Sequence, residues 1–303
     1  MAKSAEADIE KMKILEDRIK APSIWGRVPC GIRFEDLQDR RYDDAIRLLK
    51  KHYLPEELTY RSVKLHEDKE GTDEFVHNVR IWMKDKMSLV AVKEGTDKVV
   101  GVLIMRIQEK SNGFCGSKNP HRNEIPEQNN IFFSDAFSRT FSRVKITHNP
   151  LYSAVMTFYN EVEKPVNVYE KLDVKRYFKV YIIALKDRYR HRGIAKEMMK
   201  AAIALSASAN VPALSGIFTT GRTQQIADEL GFEKFNEIYY VRYQIDDQVV
   251  FWDTGLGNYG AALMAFRIPD VEEMQDLNTS HSSRFNIVVT EEEMDGEEED
   301  KSS

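Results

Sequence analysis

Between Val180 and Ala195 the sequence gathers residues of the kinds that hold an anion. An apolar run, Val180-Tyr181-Ile182-Ile183-Ala184-Leu185, ends in Lys186-Asp187-Arg188-Tyr189. Arg190-His191-Arg192-Gly193-Ile194-Ala195 follows and opens a helical pattern. The first amides of a helix have no partner within it and lie at the positive end of its dipole. A glycine there lets the backbone approach an anion closely, so the turn suits a pyrophosphate held by N–H groups. Arg188, Arg190, Arg192 and Lys196 add positive charge. A helix start ringed by solvated arginines gives the same pattern, and spacing alone does not separate the two. The three-glycine fingerprint of dinucleotide folds is missing, as is the GKS/GKT phosphate loop.

Other chemistry is sparse. Cys30 and Cys115 lack a nearby histidine in a nucleophile pattern, which argues against a covalent acyl-cysteine. The seven histidines show no HExxH or paired ligand spacing, so no metal is expected. His191 is expected as an exposed loop residue rather than a catalyst.

Arg190-x-x-Gly193-x-Ala195, after an apolar strand and before an apolar-striped helix, resembles the acetyl-CoA motif of the GNAT superfamily of N-acetyltransferases. The likeness continues through Phe218-Thr219-Thr220, Gln224-Gln225-Ile226-Ala227 and Leu230-Gly231-Phe232-Glu233. Upstream, Trp25-Gly26-Arg27-Val28-Pro29, Tyr42-Asp43-Asp44-Ala45 and His52-Tyr53-Leu54-Pro55-Glu56-Glu57 are similar to the arylalkylamine N-acetyltransferases of insects. It spans roughly residues 25–269 and is weakest over 111–149. The resemblance implies a mixed α/β, GNAT-like acyl-CoA N-acyltransferase fold, with a central, mostly antiparallel sheet flanked by helices. It implies acetyl-CoA as co-substrate, its pantetheine arm along the backbone of Ile182, Ile183, Ala184 and Leu185. The pyrophosphate would sit on the turn from Arg190 through His191, Arg192, Gly193 and Ile194 to Ala195, with Arg222 and Thr223 on the far wall.

The resemblance also implies the catalytic groups. Insect enzymes carry an acidic pair followed by proline, and the second acid is the base; that position is Glu57. Here Leu58 replaces the proline and Pro55 precedes the pair. Two solvated glutamates at a helix end are the plainer reading of the same residues. Many superfamily members place a proton-donating tyrosine four residues before the glycine of the "GF" pair, where this chain has Ala227. Thr219, Thr220 or Thr223 would bring a hydroxyl or ordered water near, Thr220 and Thr223 being taken as catalytic candidates. The implied reaction is direct acetyl transfer to a small primary amine of the arylalkylamine kind. A protein lysine or N-terminal acetyltransferase, and an inactive acyl-CoA-binding regulator, are the alternatives.

Positioning such a site takes a buried strand, a tight turn and a helix. Tyr177 to Leu185 is the most apolar strand, broken only by Lys179, and such a run suits a central place in a sheet. Gly193 to Ala209 carries the stripe Ile194, Met198, Met199, Ala202 and Leu205 at helical spacing. Further strands are expected over 31–37, 88–93, 99–109, 214–219, 232–245 and 261–268. Helices are expected over 42–53, 73–84 and 223–230, and through Leu151, Val155, Phe158 and Val162. Residues 94–97 are a hairpin-like turn. The organisation expected is a leader helix over 1–24, a transferase domain over 25–269 and an acidic disordered tail over 270–303.

Composition bounds the rest. Apolar residues are 42% and charged residues 31% of 303, an ordinary globular mixture. No apolar run approaches the roughly 20 residues that span a bilayer, and two cysteines fit a reducing compartment. The net charge is −5, but residues 291–303 hold eight acids and one lysine, so the remainder sums to +2. A globally basic nucleic-acid binder is therefore not expected. The expectation is a cytoplasmic monomer whose partners are acetyl-CoA and a small amine, with no membrane or nucleic-acid partner.

Overall fold

A computed structural model describes residues 22–110 and 149–269. The expected leader helix and acidic tail, and the connection over 111–149, fall outside those residues except at their edges. A compact unit ends at Ile268.

The unit is built on one twisted sheet. Its strands in chain order are β1 (Ile24–Val28), β2 (Ile32–Asp36), β3 (Leu89–Lys93), β4 (Lys98–Glu109), β5 (Arg176–Leu185), β6 (Ala213–Phe218) and β7 (Glu233–Tyr239). A two-residue pair, β8 (Gln244–Ile245) and β9 (Gln248–Val249), precedes the last strand, β10 (Gly260–Arg267). The order across the sheet is β1-β2-β3-β4-β5-β6-β10-β7. Every neighbouring pair is antiparallel except β5 with β6. The fold is the expected mixed α/β one.

Helices cover both faces. α1 (Tyr42–Leu48), α2 (Leu58–Ser62), α3 (Lys69–Met83), α4 (Pro150–Glu163) and the single turn α5 (Val168–Lys171) precede β5. α6 (Ile194–Ser208) and α7 (Gly221–Glu229) follow it. Alternation in β3 sends Val90 and Val92 into a core with Leu48, Phe75, Val79, Val155 and Phe158. Leu89 and Ala91 enter the other core, with Met198, Met199, Ala202 and Leu205 of α6. Burial of β5 on both faces leaves Lys179 needing a partner, and its Nζ donates to Glu163 Oε2 at 2.6 Å.

Two of the expected elements differ in extent, and β1 is an addition to them. The strand expected over 232–245 stops at Tyr239, because Tyr240 turns inward, is fully buried and donates its hydroxyl to the Thr219 carbonyl at 2.6 Å. The helix that begins at Tyr42 widens into a π-type turn, Leu49–Tyr53, closed by the Leu54 amide on the Leu49 carbonyl at 3.0 Å. It then breaks, and Glu57 starts a new helix rather than ending the old one.

Candidate active site

The sheet opens at its one parallel pair. β5 and β6 are in register only at Phe178–Leu214, Lys179–Ser215 and Val180–Gly216. Beyond that point β6 continues on β10, Ile217 opposite Leu263 and Phe218 opposite Ala262. β5 continues on β4 alone, from Ile182 opposite Ile104 to Leu185 opposite Gly101. The β6-facing peptide groups of Ile182, Ile183, Ala184 and Leu185 therefore have no strand partner along that edge. A bulge at the mouth adds to this. The pairings Ile104–Ile182 and Met105–Val180 leave Tyr181 as the extra residue, and a bulge re-aims the backbone beside it.

β5 runs into the basic turn. A 3-10 turn, Asp187–Tyr189, leads to Arg190 in extended conformation. His191 (φ 58°) and Gly193 (φ 74°) both lie in the left-handed region, and Gly193 caps α6. His191, Arg192 and Gly193 are exposed, Ala195 is half-buried, and Ile194 is buried as the helix's first core anchor. Open space surrounds the point where a Gly193 Cβ would stand. The start of α6 thus presents its unpaired amides at the end of the opened strand.

Arg190 does not point its charge freely from this turn. Its Nε donates to the Leu185 carbonyl at 3.2 Å, and its Nη2 to the His52 carbonyl. Nη2 also lies 3.2 Å from Asp187 Oδ1, and Nη1 lies 3.6 Å from Glu56 Oε2. Its own amide bonds the Asp187 carbonyl at 3.0 Å. Arg190 ties the turn to the segment carrying the acidic pair.

In that segment the two acids differ sharply. Glu56 is exposed, whereas Glu57 is only 7% exposed, so the reading as two solvated glutamates is corrected. Glu57 Oε2 accepts from the Thr59 amide at 3.0 Å, the Tyr60 amide at 3.1 Å and the Thr59 hydroxyl at 2.6 Å. Oε1 has no hydrogen-bond partner. Burial pushes the Glu57 carboxyl above its ordinary range, opposed by the Thr59 hydroxyl, the Tyr60 amide, the Thr219 hydroxyl and the Thr59 amide. Thr219 favours the charged form from nearby without closing a standard bond to Oε1. Around the carboxyl stand Tyr53, Tyr60, Tyr159 and Tyr240, all held neutral by burial.

The threonines following β6 divide by task. Thr220 and Thr223 form a reciprocal capping box on α7: the Thr220 side-chain oxygen accepts from the Thr223 amide at 3.2 Å, and the Thr223 side-chain oxygen accepts from the Thr220 amide at 3.3 Å. Arg222 lies exposed on the first turn of α7, with Nη1 on Gln225 Oε1 at 2.8 Å. Thr219 is the member that acts on Glu57. Ala227 is fully buried in the α6-side core. Thr59, Tyr159 and Tyr240 went unseen in the sequence because no motif marks a threonine two residues after an acid. Tyr159 sits beside the apolar stripe of α4 and resembles an ordinary core edge.

No metal-holding group of His, Cys, Asp and Glu occurs among the described residues, and no helix there is long and apolar enough to cross a membrane. No family model and no curated protein matches the chain. Solved structures do. An opened sheet with a glycine turn at the mouth and helices on both faces is the fold of the GNAT N-acetyltransferases, and insect arylalkylamine N-acetyltransferases are among the structures it resembles. A yellow fever mosquito (Aedes aegypti) protein described as arylalkylamine N-acetyltransferase 7 is 22% identical, with TM-score 0.66, over 82% of this chain and 96% of that one. Arylalkylamine N-acetyltransferase 2 from Aedes aegypti is 19% identical, with TM-score 0.64, over 78% and 99%. A Drosophila melanogaster polyamine N-acetyltransferase is 13% identical, with TM-score 0.54, over 78% and 100%.

Proposed function

We propose that this chain is an acetyl-CoA-dependent N-acetyltransferase acting on a small primary amine, with Glu57 as the base. The observation that carries the reading is the fork between β5 and β6, with a glycine-capped helix start at its end and a buried, half-partnered carboxyl beside it. The residues present suit coenzyme A. The edge of Ile182 to Leu185 offers amides and carbonyls in line, and Gly193, with no Cβ in its way, leaves room at the α6 amides for a pyrophosphate. His191, Arg192, Ile194 and Ala195 complete that turn. The Arg190 side chain shapes it from behind, and Arg222 and Thr223 lie at the start of α7. When bound, acetyl-CoA supplies the activated acetyl group.

An alkylamine has a pKa near that of lysine, about 10.4, so it arrives protonated and cannot attack. Glu57 Oε1, lacking a protein donor, takes that proton directly or through a water. The carboxyl suits the task because burial raises its proton affinity while three donors on Oε2 keep the charged form accessible. Strand amides near Ile183, next to the Tyr181 bulge, stabilise the developing oxyanion. Mosquito arylalkylamine and fly polyamine N-acetyltransferases among the neighbours, and an Ebony condensation domain in complex with beta-alanyl-dopamine (TM-score 0.55), support an amine as acceptor.

The test is a steady-state screen with acetyl-CoA against arylalkylamines, polyamines and a basic peptide. Turnover of at least one small amine is expected. Binding of acetyl-CoA without turnover of any acceptor would point instead to a regulator.

A further inference from the structure

We propose that Tyr159 and Thr59 are positioning residues whose hydroxyls form a chain onto Glu57 Oε2, leaving the buried Oε1 as the carboxylate oxygen without a hydrogen-bond partner and so the one that takes the proton. The relay serves the acetyl transfer proposed above and rests on that reading.

The chain's direction follows from hydrogen counting. Thr59 Oγ1 lies 2.6 Å from Glu57 Oε2 and 2.7 Å from the Tyr159 hydroxyl. An ionised carboxylate only accepts, so Thr59 gives its one hydrogen to Oε2. Thr59 must then accept from Tyr159, whose buried hydroxyl stays protonated and able to donate. With two backbone amides also on Oε2, that oxygen carries three donors while Oε1 carries none. The arriving proton therefore goes to Oε1.

Two properties of this arrangement suit a base that cycles. First, neither Thr59 nor Tyr159 has to turn when Oε1 gains or loses a proton, because the Thr59 hydroxyl and both amides stay on Oε2. Second, the support comes from neutral dipoles. The groups facing the carboxyl are Tyr53 from the π-type turn, Tyr60 from α2, Tyr159 from α4, Tyr240 after β7 and Thr219 after β6. No cation is among the leading influences on Glu57. A cation would lock the carboxylate in its charged form, whereas hydroxyls hold its orientation and leave it able to accept. Tyr159 lies 100 residues from Thr59 in sequence, so the chain also fixes α2 against α4.

The experiment follows Glu57 directly as well as through turnover. Glutamate side-chain carboxyl carbons are labelled with carbon-13, the Glu57 signal is assigned by its loss in Glu57→Gln, and its titration is read by NMR. Tyr159→Phe keeps the ring and its packing. Thr59→Ser keeps the donor, and Thr59→Val removes it. Loss of a donor to the charged form should move the Glu57 midpoint upward by about half a pH unit or more in Tyr159→Phe, and further in Thr59→Val. Thr59→Ser should restore the wild-type midpoint. The acidic limb of kcat/KM should move with the midpoint, and kcat should fall about three- to tenfold with KM for acetyl-CoA unchanged. A folded Tyr159→Phe variant with an unmoved midpoint and unmoved limb would overturn the relay. A moved midpoint in a protein that turns over no amine would keep the hydroxyl chain and sink the acetyl-transfer reading instead.

Discussion

Glu57 and Glu56 are neighbours with opposite surroundings, and two predictions separate them. Glu57→Gln keeps size and an acceptor for the Thr59 and Tyr60 donors but cannot take a proton. Turnover of a small amine should fall roughly 10²-fold or more, the usual cost of a lost general base, with activity regained only as free amine accumulates at high pH. Glu56→Gln, in an exposed residue at 3.6 Å from Arg190, should change kcat/KM by about a few-fold at most. The same carboxyl links stability to pH. Burial raises the Glu57 pKa above the ordinary glutamate value of 4.5. Its contribution to folding is therefore fully present below that value and is lost as pH rises through the folded one. Relative to Glu57→Gln, wild-type melting temperature should decline across that window and level off above it; a gap between the two proteins that stays flat with pH would contradict the burial of an ionisable Glu57.

At the scale of elements, the strand–turn–helix from Tyr177 to Ala209 was legible because each piece has a local cause: an apolar run, a glycine that needs φ > 0, and a stripe at helical spacing. β1 carries no strand signal in the sequence, since Ile24–Val28 is short, half-exposed and interrupted by Gly26. The excursion after Tyr239 is not visible in the sequence, because the strand's reason to stop, the bond from Tyr240 to Thr219, joins residues 21 apart. Glu57 entered by likeness to insect enzymes, not by pattern; its burial depends on α4 and the segment after β7, which no local window contains. The glycine turn gives the element-scale prediction. At φ 74° any side chain at Gly193 is strained, so Gly193→Ala should cost about 1 kcal/mol of stability. Gly193→Glu adds charge at the proposed pyrophosphate turn and should weaken acetyl-CoA binding by at least about 2 kcal/mol, roughly 30-fold. Calorimetric titration of both variants separates strain from charge, and equal affinities in the two would remove the pyrophosphate from this turn.

At the scale of the whole unit, Arg190 joins the two halves of the proposed chemistry. One guanidinium holds the end of β5 through Leu185, the π-type turn through His52, the 3-10 turn through Asp187 and, more loosely, Glu56. The fork that would take the coenzyme and the loop that carries Glu57 are thus fixed by a single planar fork of donors, a geometry lysine cannot reproduce. This distinguishes two roles for a basic residue in an anion turn. A residue serving only as positive charge for phosphate should tolerate Arg190→Lys with about a few-fold loss of acetyl-CoA affinity. A clamp should not: Arg190→Lys and Arg190→Gln should behave alike, each losing about 1–3 kcal/mol of stability because the bonds to two carbonyls are lost. Both should also lower kcat as well as acetyl-CoA affinity, since the Glu57 loop loses its tether to the turn. Thermal melts, calorimetric titration and kcat on the same three proteins decide the matter. A stable Arg190→Lys variant with near wild-type kcat would return Arg190 to the role of a phosphate cation and leave the Glu57 loop held by α2 and its tyrosines alone.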